Sequence, residues 1–376
     1  MAKNKTDIRY ILNTQNALEL TWIMNNICTN SCRYCPPILW AGKNHHYEWE
    51  NAKSFLQRLI SSHKEIICSI SGGEPTVSPF FPEVVKMMYD NGHHIQVTTN
   101  GARTINYWRK IAPMIDNISW SYHAAMMDEA DENAWIEKVA ECHTMSNCSV
   151  RVMMDSDNWD RCVNFCQKLK DNGGVSFEVV RIYAEQAKNT NIGETYTEEM
   201  ENWLSEQSNL FVPPRDGLKE LEKYKEREHL NQKIIVAKTD GTVLEDFNVS
   251  LNDIVLENNN VFTGWSCNIG LESLFVHYDG YVKKGNCLEG GNLFHIDEHE
   301  NYELPNTGEI CTRPRCMCTT DVKISKSPMF DPDSDYFKNT FNTNTNEIYS
   351  DYNKRRNKDT LTSLKKKDII AVKEII

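Results

Sequence analysis

Six short runs of apolar, β-favouring residues recur through the first half of the chain: Leu18 to Ile23, Ile66 to Ile70, His94 to Thr98, Ile118 to Tyr122, Val150 to Met154 and Val175 to Ile182. Helix-prone segments separate them, among them Trp49 to Ser62 and Pro79 to Asp90, the latter ending at Asn91-Gly92, a helix-stop signal. Short strands in series with helices between them call for parallel pairing and right-handed crossovers. That confines the region to an α/β architecture whose chemistry sits on the loops at the C-terminal ends of the strands.

The alternation then stops. Glu185 to Asn260 is charged and helix-prone, with helices expected over Glu199 to Gln207 and Leu218 to Gln232 and a break at Val212-Pro213-Pro214. Two hairpin signals follow, Ile234 to Leu244 turning at Asp240-Gly241 and Leu274 to Lys283 turning at Asp279-Gly280. Antiparallel hairpins mark a second, smaller domain, which suits a chain of 376 residues. The expected divisions are an N-terminal segment 1–15, a core 16–185, a bridge 186–260, a small domain 261–325 and a polar tail 326–376. The tail carries the low-complexity stretch Asn342 to Asn346 and, from Asn353, eight Lys or Arg against three acids. No apolar run reaches the roughly 18 residues of a membrane span. Met1 to Tyr10 lacks the apolar region of a secretory signal, so a cytoplasmic protein is expected. A net charge of −12 argues against general attraction to a phosphate backbone.

Thirteen cysteines stand out against this background. The count is odd and no export signal accompanies it, so metal is a better expectation than disulfides. Cys28, Cys32 and Cys35 form C-x₃-C-x₂-C directly after the first apolar run. Three thiolates on one loop can converge on one centre. Structural zinc takes four protein ligands, catalytic zinc three and a water. Three thiolates equally suit a [4Fe–4S] cluster with one iron left open.

This motif, with the aromatic Tyr34 before its third cysteine, resembles the defining motif of the radical S-adenosylmethionine (SAM) superfamily. The resemblance continues over roughly residues 16 to 185. Ser71-Gly72-Gly73-Glu74-Pro75 after the second run is similar to the family's GGEP loop. There the glycines would let the backbone approach a ligand, and Glu74 could accept from an ammonium group. Thr98-Thr99-Asn100-Gly101 resembles the family's turn after the third strand. By position, Ser121 is expected to contact SAM. Arg151 is a candidate for the methionine carboxylate or ribose, against the alternative of an Arg paired with an acid. Val179 to Ile182 would flank adenine. The resemblance implies a partial (β/α)6 TIM-type barrel, SAM bound to the open iron, and reductive cleavage to methionine and a 5′-deoxyadenosyl radical that takes a hydrogen atom from substrate. It also implies an electron donor such as flavodoxin or ferredoxin. His123 and Glu178, at strand ends facing the substrate, are candidates for proton transfer.

Cys267, Cys287, Cys311, Cys316 and Cys318 form a second group. Read as C-x₁₂-G-x₆-C followed by CTRPRCMC, it resembles the twitch or SPASM extension of radical SAM enzymes, with a longer glycine-to-cysteine spacing than usual. Five cysteines imply one auxiliary [4Fe–4S] cluster with one cysteine spare; a ribbon-like structural zinc is the alternative. Cys162 and Cys166, spaced i, i+4, read as helix core, and Cys68, Cys142 and Cys148 as buried. His45-His46 and His93-His94 read as loop and structural residues. The expected substrate is a small polar metabolite or nucleotide. Alternatives are a peptide, a nucleic-acid base, for which the basic tail is the sole hint, or a non-catalytic iron–sulfur regulator. About seventeen residues precede the first apolar run, so no peptide leader-binding domain is expected there, and for a peptide substrate a separate recognition protein would take its place.

Overall fold

The structure, a computed structural model, describes residues 6–14, 17–43, 45–172, 175–182, 196–207, 234–245, 254–255, 259–316 and 319–328. The helix expected over Leu218 to Gln232, the Pro213-Pro214 break, the Asn342 to Asn346 stretch, the basic tail and Cys318 lie outside these residues. The described parts of Thr21–His229 with His277–Gly280 form one compact unit, and those of Met1–Leu20, Leu230–Val276 and Tyr281–Ile376 form another.

The first unit is built on a parallel sheet. Its strands are β2 (Leu18–Ile23), β3 (Ile66–Ser71), β4 (His94–Thr99), β5 (Asn117–Tyr122), β6 (Asn147–Met154) and β7 (Ser176–Arg181), in that order across the sheet. Strands β3 to β7 pair in parallel. Between successive strands lie α1 (Trp49–Ser62), α2 (Phe81–Asp90), α3 (Ile105–Ile111), α4 (Glu132–His143) and α5 (Trp159–Asn172), and α6 (Glu198–Gln207) follows β7. A sheet whose order equals its sequence order sends every right-handed crossover to the same face. This is the singly wound α/β arrangement of a partial barrel.

Burial follows from that asymmetry. Helix α1 buries Ala52, Phe55, Leu56 and Leu59, and α2 buries Phe81, Val84, Val85 and Met88, both at i, i+3, i+4, i+7. Each of the large side chains is stabilised by about 1.5–3 kcal/mol relative to exposure. In β6, Cys148, Val150, Val152 and Met154 are buried while Asn147, Ser149, Arg151 and Met153 are only half-buried, and β5 alternates likewise. One sheet face is therefore apolar and helix-covered, and the other is polar. Cys68, Cys142, Cys148, Cys162 and Cys166 are all buried.

The second unit is antiparallel. One sheet runs β14 (Glu309–Ile310), β10 (Trp265–Cys267), β15 (Lys326–Pro328), β1 (Ile8–Asn13), β8 (Ile234–Lys238) and β9 (Val243–Glu245). Strands β11 (Ser273–Val276), β12 (Tyr281–Lys283) and β13 (Asn292–His295) pair beside one another, also antiparallel. Both expected hairpins form, β8–β9 around Asp240-Gly241 and β11–β12. Strand β1 lies in the stretch read from sequence as an N-terminal segment; its register with β8 runs from Ile8 to Asn13. Ile8, Ile11, Ile234, Val236, Phe262 and Trp265 fill the core of this unit. Among the described residues no helix is long and apolar enough to cross a membrane.

Candidate iron–sulfur and SAM site

The C-x₃-C-x₂-C loop leaves β2 at the edge where the C-terminal ends of the parallel strands open. Cys32 is buried and Cys28 and Cys35 half-buried. The turn closes by a Cys35 N–H bond to Cys32 O at 3.0 Å. Burial pushes the Cys32 thiol up to about 12 and Cys35 up to about 11, and raises Cys28. In each case a neighbouring negative charge adds to the rise: Cys28 and Cys35 on Cys32, Cys28 on Cys35, Glu74 on Cys28. Three thiols raised by burial and by neighbouring negative charge ionise readily only with a cation beside them. That donor set, with no fourth protein ligand on the loop, fits a cluster keeping one iron open.

Loops following four further strands converge on this one. After β3, Gly73 N–H donates to Asn25 O (2.9 Å) and Glu74 N–H to Ile27 O (2.8 Å). A Cβ at Gly73 would lie 2.3 Å from Ile27 O and 2.6 Å from Leu39 O, so glycine alone permits this approach. After β4, the Asn100 amide donates to Thr29 Oγ1 (2.9 Å) and reaches Cys28 Sγ at 3.6 Å. Gly101 there has φ +77°, and its Cβ would sit 2.6 Å from Trp135 Nε1 and 2.9 Å from the Trp120 ring. After β5, His123 Nδ1 lies 2.6 Å from Tyr34 Oη. After β6, buried Asp155 receives the Arg33 guanidinium, with Nε at 3.2 Å.

The candidate residues fall into two groups. Tyr34, Gly72, Gly73, Glu74, Pro75, Asn100 and His123 gather at the cysteine loop. The Glu74 carboxylate is completely buried and accepts from Thr76 N–H (3.1 Å), Thr76 Oγ1 (2.6 Å), Thr99 Oγ1 (2.9 Å) and Asn100 N–H (2.8 Å). It clips the turn after β3 to the turn after β4, so its side chain is spent inside the protein rather than offered to an ammonium group. Burial lowers the His123 imidazole to about 4, so it is neutral near pH 7 and too weak a base to collect a proton there. Burial also pushes Tyr34 far up, with Cys32 adding to the rise.

Ser121, Arg151 and Glu178 form the second group. They are register partners across β5, β6 and β7, on the polar face. Arg151 Nε donates to Glu178 Oε1 at 2.5 Å, so the candidate ligand and the candidate proton carrier are one ion pair, with Arg151 half-buried and Glu178 exposed. Below it, Thr98, Ser119, Ser149 and Ser176 form a row of hydroxyls, and Ser69, Gln96, Asn117 and Asn147 a row dominated by amides. Asn25, Arg33 and Asp155 escaped the sequence reading. They are ordinary polar residues in the cysteine loop and at strand ends, and only their partners reveal their work.

In the antiparallel unit Cys267, Cys287, Cys311 and Cys316 line a small cavity partly open to solvent, together with Phe262, Ile269, Glu289, Arg313, Asp321 and Lys326. Burial pushes Cys311 and Cys316 up to about 12, and the Cys267 charge adds to both and to Cys287. Four soft donors around one cavity fit a cluster ligated by Cys alone. Among the described residues no three His, Cys, Asp or Glu side chains lie close enough to share a single ion as they stand. Asp321, which accepts from the Cys287 N–H at 2.5 Å, and Lys326 were not singled out from sequence.

Comparison with known proteins bears on the parallel unit. The model of the Radical SAM superfamily matches residues 22–183. A stretch of 104 residues is 36% identical to a 7,8-dihydro-6-hydroxymethylpterin dimethyltransferase of Methanocaldococcus jannaschii; it covers 24% of this chain and only 20% of that relative. Among solved structures, SuiB of Streptococcus suis bound to S-adenosylmethionine is 14% identical, with a TM-score of 0.44 over 77% of this chain and 66% of that one. The tagged anSMEcpe with bound AdoMet is 15% identical, with a TM-score of 0.43 over 75% and 78%. The Radical SAM superfamily match spans the cysteine loop and every strand-end loop that converges on it, so residues 22–183 are a radical SAM domain.

Proposed function

We propose that the chain cleaves SAM reductively and uses the product to abstract a hydrogen atom from a small polar substrate, with a second iron–sulfur cluster in its antiparallel unit. The observation that carries this reading is the convergence on the Cys28–Cys35 loop of the turns after β3, β4, β5 and β6. When bound by Cys28, Cys32 and Cys35, a [4Fe–4S] cluster supplies the electron for sulfonium cleavage. The chain's own residues do the rest. Gly72, Gly73 and Pro75 would bring backbone close to the group held by the cysteine loop, beside the bound SAM. Glu74 and Asn100 hold that backbone in register with the cysteine loop. Tyr34 and neutral His123 form a fixed wall that neither gives nor takes a proton near pH 7. Ser121 and Arg151 face the open side, with Glu178 holding the guanidinium.

A polar substrate suits the sheet face left free of helices, which presents hydroxyl and amide side chains from five strands. Cys267, Cys287, Cys311 and Cys316 would ligate the auxiliary cluster. A low-potential donor such as flavodoxin or ferredoxin would supply electrons.

Anaerobic reconstitution tests both halves. About eight iron per chain are expected, at four per [4Fe–4S] cluster, along with 5′-deoxyadenosine once dithionite and SAM are added. The triple variant Cys28→Ala, Cys32→Ala, Cys35→Ala should keep about half the iron and form no 5′-deoxyadenosine. Product from the triple variant sinks the core reading, and zinc in place of half the iron sinks the auxiliary one.

A further inference from the structure

Lys326 is an unusual residue to find inside the antiparallel unit. It is 4% exposed and lines the four-cysteine cavity. Its backbone position is fixed from both sides, since Lys326 is the register partner of Cys267 on β10 and of Ile11 on β1. Residues directly opposite in adjacent strands project to the same face, so the lysine and the Cys267 thiol enter the cavity together. The ammonium has three protons, and all three have acceptors: Asp321 O at 2.7 Å, Val322 O at 2.8 Å and Ile324 O at 2.7 Å. The Phe262 ring lies 5.1 Å from Nζ.

Among the described residues, then, every hydrogen bond of this buried cation goes to a neutral carbonyl. Its charge is held in place but not cancelled by a bonded carboxylate, a costly state in a low-dielectric interior unless an anion shares the space. The nearby carboxylates, Asp321 and Glu289 on the same wall and Glu272 outside it, make their hydrogen bonds to other groups. Asp321 accepts from the Asn286 and Cys287 N–H groups, Glu289 from Thr312 beside Arg313, and Glu272 from Asn268 and Ser325. Asp321 and Glu272 stay within electrostatic reach of the ammonium and offset part of its charge, and the four sulfurs that line the cavity with it are the further groups its charge acts on. Burial raises the Cys267 and Cys316 thiols, and the Lys326 charge is the largest influence opposing that rise at both.

We propose that the Lys326 ammonium is built into the wall of the four-cysteine cavity to raise the reduction potential of the iron–sulfur cluster held there. This rests on the auxiliary-cluster reading above. Four thiolates give such a cluster a net negative charge, and each reducing electron deepens it. A fixed positive charge therefore favours the reduced state, and net charge and burial are among the properties that set these potentials. The cluster is thereby made an easier electron acceptor than its cysteines alone would make it, which suits a site that takes an electron from substrate or passes one on.

The test uses the full chain carrying Cys28→Ala, Cys32→Ala and Cys35→Ala, so that only the second site can load. It is reconstituted anaerobically, and its cluster is titrated with dithionite and followed by electron paramagnetic resonance. Lys326→Met and Lys326→Gln should hold the parent's iron, with the ratio of reduced to oxidised cluster at a fixed poise at least tenfold lower, about 59 mV for one electron. Lys326→Arg, which keeps the charge, should return the ratio to near the parent's. An unchanged potential at equal iron content overturns the proposal. Loss of iron from both neutral variants also overturns it, because Gln keeps donors for the carbonyls and the lysine would then be a structural tie. A parent that binds no iron overturns the auxiliary-cluster reading itself, and the proposal with it.

Discussion

The two cysteine sites are built by opposite strategies. Cys28, Cys32 and Cys35 lie within eight residues on one loop, and the protein's effort goes into anchoring that loop. Cys267, Cys287, Cys311 and Cys316 come from segments spread over fifty residues, and the effort goes into bringing them together. The first site has three thiols and leaves a place for a ligand; the second has four and leaves none. The first stands at the edge of a sheet whose apolar face is already filled by five helices, so that unit has a core without metal. The second sits in a unit of short strands, several of only two to four residues. A cluster bound there, as proposed, would contribute to folding as well as to chemistry. The lesson is that a site written locally can be rearranged by changing its neighbours, whereas a site written across a unit stands or falls with that unit.

The sharpest way to break the comparison is Cys267→Ala. The strand pairing of β10 and the four-sulfur cavity both run through this residue. The variant is expected to lose the second cluster and substrate turnover, and to destabilise its unit by more than about 4 kcal/mol, as metal loss does. SAM cleavage by the other unit should partly survive. Circular dichroism read with the 5′-deoxyadenosine yield checks this. A folded variant with full substrate turnover would mean that the two sites do not cooperate.

Glu74→Gln probes the anchoring of the first site. Its amide would turn protons toward donors that now meet a carboxylate, at a cost of about 2–3 kcal/mol. Thermal unfolding should report that loss, with SAM cleavage falling as the turn after β4 loosens from the cysteine loop. Unchanged unfolding would show that the carboxylate is not the clip described above.

His123 gives a smaller effect with a defined sign. Its folded value of about 4 lies below its ordinary 6.5. Between those limits the unfolded chain takes up a proton that the folded chain refuses, so this contribution is complete above pH 6.5 and is lost as pH falls toward 4. His123→Gln should flatten stability against pH in that window, and an unaltered slope would count against the burial of the imidazole. The smallest effect is expected at Arg151. An exposed ion pair contributes about 0.2–1 kcal/mol, so Arg151→Met should barely move the melting temperature. A raised KM for SAM with stability unchanged would make the guanidinium a ligand; no change in either would leave it a surface pair.

Much of the parallel unit was legible in sequence because its signals are local. Helix α1 has the bounds its apolar period suggested, and the six apolar runs became strands in sequence order. The cysteine loop and the Gly72-Gly73-Glu74 turn were legible for the same reason: spacing within a loop is fixed by covalent geometry. Strand β1 was harder, since Ile8–Asn13 has no helix beside it to mark it, and its partners β8 and β15 lie more than two hundred residues away.

By itself, then, the sequence determined which residue types stand at the ends of the parallel strands, and that three thiols share one loop. The tertiary structure decided what those residues face. It turned Glu74 inward as a clip rather than outward as a ligand, joined Arg151 to Glu178 across two strands, and set Lys326 opposite Cys267 inside a cavity of sulfurs. The reason is physical. A side chain's chemistry is carried by its own atoms, but its role depends on which donors, charges and apolar walls the fold brings within a few ångströms, and register between distant strands is what brings them.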